Sequence, residues 1–150
     1  MGKFSNKCSF PIKVTNESVH NTGPQWGGPG VRKLLIVDDD ADFRKLVTTV
    51  ATEMGFEVMG IGAGDEAEDA QRSFLPDVIL VDMVMPGLDG IEVVRKMVSA
   101  AIEARIILVS GYSQSYMNAA RAIATASGVD TVRTVTKPFA LDELRALLAA

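Results

Sequence analysis

Leu34-Leu35-Ile36-Val37-Asp38-Asp39-Asp40 closes an apolar run with consecutive carboxylates. The same pattern returns at Val78-Ile79-Leu80-Val81-Asp82, at Ile106-Ile107-Leu108-Val109-Ser110 and, in shorter form, at Val135-Thr136-Lys137-Pro138. Apolar runs without alternation suit strands of a parallel sheet that helices cover on both faces. If the four runs are neighbouring parallel strands, their polar ends meet at one edge of one sheet. Acids, a hydroxyl and an ammonium in one place are the parts that hold a divalent cation and a phosphoryl group.

Working outward, helical periodicity alternates with these runs. Asp42 to Met54 carries Phe43, Leu46, Val47 and Val50 on one helical face and stops at Gly55. Phe56 to Ile61 reads as a short strand, and Asp65 to Phe74 as a helix with Gly64 or Asp65 near its N-cap. After the strand Val78 to Asp82, Met85-Pro86-Gly87-Leu88-Asp89-Gly90 reads as a loop. Ile91 to Ala101 is then a helix with Val94, Met97 and Val98 inward. Strand Arg105 to Ser110, an Ala-rich helix from about Ser113 to Ser127, strand Thr131 to Thr136 and a helix from Leu141 to Ala149 complete the chain. Strands alternating with helices predict an α/β fold with a doubly wound parallel sheet of five strands. In such sheets ligands bind outside the carboxyl ends of the strands, which is where all four polar ends fall.

The chain has 150 residues, enough for one domain with a substantial core. Its net charge of −4 provides no basic footprint for nucleic acid. The lone cysteine, Cys8, cannot form an internal disulfide, so a reducing, cytoplasmic setting is expected. No apolar run approaches the roughly 20 residues of a membrane span, and no secretory h-region follows the N-terminus. Met1-Gly2 fails as a myristoylation signal because Asn6 stands where Ser or Thr is needed. Asn16-Glu17-Ser18 fits a glycosylation acceptor but has no meaning in a cytosolic protein.

Residues 1–30 differ in composition from the body and end in Gly23-Pro24-Gln25-Trp26-Gly27-Gly28-Pro29-Gly30, through which no regular element can continue. They are expected to be a disordered tail or leader, the alternative being a docking segment anchored by Phe10 or Trp26, with residues 31–150 as the folded domain. His20, the single histidine, lies in this tail with no helical bundle around it and is expected to be solvated.

The motifs Val37-Asp38-Asp39-Asp40, Val81-Asp82-Met83-Val84-Met85-Pro86-Gly87-Leu88-Asp89-Gly90, Ser110-Gly111-Tyr112 and Lys137-Pro138-Phe139 resemble, in order, those of the receiver domains of two-component response regulators. The resemblance covers about Arg32 to the C-terminus and implies a flavodoxin-like (βα)5 fold with strand order 2-1-3-4-5. It implies that Asp82 is the phosphoacceptor and that Mg²⁺ is held directly by Asp39, Asp82 and the backbone carbonyl of Val84, with Asp38 helping through water. Ser110 and Lys137 would meet the phosphoryl group, and the Lys137-Pro138 bond would be cis. Asp40 and Asp42 instead suit the N-terminus of the following helix, where negative charge is favoured. Val84 and Tyr112 lie where side chains of the family tune water access, and Met83 and Met85 are expected to pack beneath the loop.

Two departures from the family pattern stand out. The aromatic switch residue expected three positions before the lysine is Thr134, which leaves open the coupling between Ser110 and position 134. The segment between Ser110 and Lys137 is also several residues longer than typical. The implied partners are a sensor histidine kinase or a histidine phosphotransfer protein, and a downstream protein read through the α4–β5–α5 face. Homodimerisation on phosphorylation is a further implied interaction; nucleic acid and membrane are not. The implied setting is bacterial signalling by a free-standing regulator or by a receiver of a hybrid sensor kinase. A small phosphatase with an aspartyl-phosphate intermediate is the alternative from another class, but it needs a cap that no segment is long enough to supply. A degenerate receiver that only binds partners is a third reading.

Overall fold

The computed structural model describes residues 30–85, 88–99, 103–111, 114–128 and 132–150. The tail segment with Cys8, Phe10, His20 and Trp26 lies outside the described residues, as do Pro86, Gly87, Tyr112, Ser113 and Thr131. The strands are β1 (Lys33–Val37), β2 (Glu57–Ile61), β3 (Val78–Asp82), β4 (Arg105–Ser110) and β5 (Val132–Thr136). The helices are α1 (Ala41–Glu53), α2 (Ala67–Phe74), α3 (Gly90–Ser99), α4 (Gln114–Ala126) and α5 (Leu141–Ala149). All five strands pair in parallel in the order β2-β1-β3-β4-β5, the doubly wound order expected from the sequence.

Strand alternation divides the apolar runs between two cores. Leu35, Val37, Ile79, Val81, Ile106 and Leu108 face α2, α3 and α4, where Val93, Val94, Met97, Met117, Ala120 and Ala124 pack against them. Leu34, Ile36, Val78, Leu80, Ile107 and Val109 face α1 and α5 and meet Val47, Val50, Ala51, Leu144 and Leu148. Both faces are covered, which explains why the central strands read as unbroken hydrophobic runs. Met83 and Met85 are buried in the first core, as expected from the sequence.

Local differences from the sequence reading have physical causes. In α1 the buried stripe is Val47, Val50 and Ala51, and Leu46 falls on its shoulder, 45 % exposed. A 3-10 turn, Gly64–Glu66, leads into α2, and neither Gly64 nor Asp65 caps it by a side chain. Asp65, Glu66, Glu68 and Asp69 supply negative charge near that terminus instead. The segment after β3 contains a short antiparallel ribbon, Val84–Met85 with Leu88–Asp89, rather than an irregular loop alone. Arg32 and Arg105 both donate to the carbonyl oxygen of Leu148, at 3.2 and 3.0 Å, so cations hold the negative end of the α5 dipole against the sheet.

Helix α2 ends at Leu75, which adopts φ 55° and ψ 62°, left-handed values that disfavour a residue with a β-carbon. Its side chain is 71 % exposed and contributes little packing. Leu75→Gly is therefore expected to stabilise the protein by about 0.5–1 kcal/mol, read as a raised urea midpoint at unchanged slope. An unchanged or lowered midpoint would show that the left-handed turn carries no cost here.

Candidate metal and phosphoryl site

The carboxyl edge of the sheet brings four sequence-predicted residues together. Asp38 directly follows β1 and is fully buried, and Asp82 ends β3 with 7 % exposure. Ser110 ends β4 and is also fully buried. Lys137 follows β5, and its bond to Pro138 is cis, as the resemblance implied. The ammonium of Lys137 lies 3.3 Å from Asp38 Oδ2 and 3.7 Å from Asp82 Oδ2. One cation thus answers both buried acids.

Backbone bonds fix where these side chains start. The N–H of Lys137 donates to the carbonyl of Ser110 at 2.9 Å, and that of Met83 to the carbonyl of Val109 at 2.9 Å. Asp82 pairs across the sheet with Val109, so Ser110 lies one residue beyond the neighbour of Asp82. Asp82 Oδ1 accepts from the N–H of Val84 at 3.1 Å, and the Val84 side chain is 41 % exposed beside it. Thr134 pairs with Leu108 and is half-buried, two positions below the Ser110–Thr136 pair.

Asp38 has every polar group engaged. Its N–H donates to the carbonyl of Ile61 at 3.1 Å, and its own carbonyl accepts from Arg44 Nη1 at 2.7 Å. Its Oδ1 accepts from the N–H of Asp40 at 2.9 Å, and its Oδ2 faces Lys137. Asp39, by contrast, is exposed. Asp40 caps α1 by accepting from the N–H groups of Asp42 and Phe43 at 2.9 and 3.2 Å, the helix-terminal role expected for it.

Carboxylate oxygens of Asp38, Asp39 and Asp82 lie within 4.8 Å of one another. Burial pushes the Asp82 carboxyl up to about 6, with the Asp38 and Asp39 charges adding to the rise and the Val84 N–H and Lys137 opposing it. Such a group gains from a cation. The donor set is all hard oxygen, which fits Mg²⁺ and is unlike the nitrogen and sulfur sets that select zinc.

Three contacts were not visible in the sequence. The Phe43 ring lies 4.1 Å from Lys137 Nζ, with Phe139 edge-on to it at a centroid separation of 6.0 Å, so an aromatic wall holds the ammonium over the acids. Arg44 reaches from α1 to the Asp38 carbonyl, and a glycine pair in and after β2, Gly60 and Gly62, was the available signal for it. Tyr116 on α4 donates to Asp89 Oδ1, which also accepts from the N–H of Ile91 at 2.9 Å. Those two bonds, the tyrosine's first, hold the Asp89 carboxyl below the usual carboxylate range.

The response regulator receiver domain family matches residues 34–149. The sporulation initiation phosphotransferase F of Bacillus subtilis is 32% identical over 113 residues, covering 75% of this chain and 87% of that protein. A protein-glutamate methylesterase/protein-glutamine glutaminase of Myxococcus xanthus is 36% identical over 111 residues, covering 73% of this chain but only 31% of that longer protein. Among solved structures, chemotaxis protein CheY4 of Vibrio cholerae superposes with a TM-score of 0.69 at 25% identity, covering 79% of this chain and 97% of that one. Among the described residues, no helix is long and apolar enough to cross a membrane.

Proposed function

Because the chain belongs to the receiver domains of two-component response regulators, we propose that Asp82 is its phosphoacceptor and that Ser110 and Lys137 register the arriving phosphoryl group. The observation that carries this reading is the meeting of Asp38, Asp39, Asp82 and Lys137 at the carboxyl edge of one sheet. The donor is a phosphohistidine of a sensor kinase or phosphotransfer protein. An Asp82 carboxylate oxygen attacks phosphorus in line, the phosphorus–nitrogen bond breaks, and the histidine nitrogen leaves with the bonding pair. Asp38, Asp39, Asp82 and the Val84 carbonyl would hold Mg²⁺, which when bound offsets negative charge on the carboxylates and on the phosphoryl oxygens.

Phosphorylation adds about −1.5 to −2 charges beside Lys137 and places new acceptor oxygens within reach of the Ser110 hydroxyl. Movement of these two groups shifts a pre-existing equilibrium between conformations of the α4–β5–α5 face, with Thr134 in the position of the usual switch aromatic. We read the chain as a switch whose own chemistry is limited to self-phosphorylation and autodephosphorylation, without turnover of an external substrate. A downstream cytoplasmic protein, or a second copy of the chain, is the reader of the altered face; neither nucleic acid nor membrane is engaged directly. Residues 31–150 are the functional unit in this reading.

The test is phosphotransfer from candidate labelled kinases, with and without Mg²⁺. Mg²⁺-dependent, base-labile label on this protein supports the reading, and failure of all donors together with no Mg²⁺-dependent response to beryllofluoride would remove it. Val84 shields the acyl phosphate with an apolar side chain, so Val84→Asn is expected to hasten its hydrolysis several-fold. Equal decay of label in the two proteins would show that this side chain does not control water access.

A further inference from the structure

Arg44 is neither one of the pocket's acids nor its lysine, yet it holds the backbone on which the acidic pair is mounted. From α1 its guanidinium crosses to the carboxyl end of β2, and Nη1 reaches the carbonyl oxygen of Asp38 at 2.7 Å. The crossing depends on the missing side chain at Gly62. A Cβ there would lie 3.0 Å from Arg44 Nη1, tighter than an ordinary contact, whereas one at Gly60 would lie 3.4 Å from Arg44 Cδ, an ordinary van der Waals distance. Between them, Ile61 turns to the opposite face and gives its carbonyl to the N–H of Asp38. The backbone of Asp38 is thus fixed on one side by β2 and on the other by an α1 side chain passing over β2.

The carbonyl of Asp38 belongs to the peptide that joins it to Asp39, and a planar peptide fixes the direction in which the next residue departs. Asp38 needs little help in orienting its carboxylate, which Asp40 N–H and Lys137 already hold. Asp39 is exposed, so the peptide before it governs how reliably its carboxylate faces the shared site. We infer that Arg44, accommodated by Gly62, is a positioning residue that orients the Asp38–Asp39 peptide and thereby sets the affinity of the acidic pair for a divalent cation. The inference rests on the reading of Asp38, Asp39 and Asp82 as a Mg²⁺ site.

Sign separates positioning from simple electrostatics. A guanidinium near the acids repels an incoming cation, so if charge were its whole effect, Arg44→Met would tighten Mg²⁺ binding. Loss of positioning should instead weaken it, by about 10–100-fold for a group that orients a ligand. The experiment is calorimetric titration of the full chain with Mg²⁺, alongside Arg44→Met, Arg44→Lys, Gly62→Ala and Asp39→Asn, with thermal unfolding as a folding control. Arg44→Met and Gly62→Ala are both expected to weaken binding, the second while keeping the positive charge, and the double variant should be little worse than either single. Arg44→Lys, which keeps the charge but shortens the reach, should fall between wild type and Arg44→Met. Unchanged or tighter binding in Arg44→Met would overturn the inference, and so would unchanged binding in a folded Gly62→Ala protein should Arg44→Met not fold. Asp39→Asn distinguishes the two levels of failure. If it does not weaken binding, the metal site itself is misread; if it does and the Arg44 and Gly62 variants do not, only the positioning role falls.

Discussion

Asp82→Asn is expected to abolish phosphoryl acceptance and, in magnesium-free buffer at pH 7.5, to make the protein more stable by about 1–3 kcal/mol. The carboxyl of Asp82 is pushed up to about 6, chiefly by burial, while in the unfolded chain it has an ordinary carboxylate value near 4. Between about pH 4 and pH 6 the folded protein therefore keeps a proton that the unfolded chain has lost. Stability from this group is greatest below pH 4, falls as the pH rises through that window, and stays low above it. The amide of asparagine carries no charge and escapes the cost. Urea unfolding at pH 4 and pH 7.5 checks this: the two proteins should differ little at pH 4, and the variant should be ahead at pH 7.5. Saturating Mg²⁺ should narrow that lead by stabilising the wild-type carboxylate. Equal stabilities at pH 7.5, or a weaker variant, would mean that the site does not hold Asp82 against its preference for water.

Lys137→Met should act in the opposite direction. The ammonium lies 3.3 Å from Asp38 Oδ2, and the Asp38 side chain has no exposure at all. Removing one member of a buried pair leaves the other charge uncompensated, and the partial exposure of Lys137, 29 %, moderates the penalty. A loss of about 2–4 kcal/mol is expected in magnesium-free buffer, together with loss of the beryllofluoride-induced change in partner binding. Added Mg²⁺ should recover part of the stability, since a cation among the three carboxylates does part of the work of the ammonium. It should not recover the switch, which needs a donor on the β5–α5 segment. A variant that unfolds at the wild-type midpoint would show that Asp38 is held by its backbone contacts alone.

The architecture was legible because helices cover both faces of its central strands. That covering leaves unbroken runs such as Ile106–Val109, and the first polar residue after each run marks the carboxyl edge. The acids and the lysine were legible for the same reason, since each one ends a strand or lies within two residues of its end. What the sequence did not reveal depends on side-chain reach between elements distant in the chain. Arg44 meets Gly62 only because α1 packs beside β2, and Phe43 meets Lys137 only because α1 and β5 converge on one edge. Leu46 misled because it lies at the margin of the apolar stripe, where periodicity alone cannot tell a core position from an exposed shoulder.

The bond between Tyr116 and Asp89 has a mechanical consequence. A single carboxylate oxygen, Asp89 Oδ1, serves both the tyrosine of α4 and the N–H of Ile91 in the first turn of α3. The same ribbon runs back to Val84, whose N–H is tied to Asp82. Helices α3 and α4 share one apolar core, and the Asp89 oxygen adds a polar tie between them that is mounted on the segment leaving β3. A displacement of α4 that breaks the tyrosine bond would therefore act on the same oxygen that receives the first turn of α3.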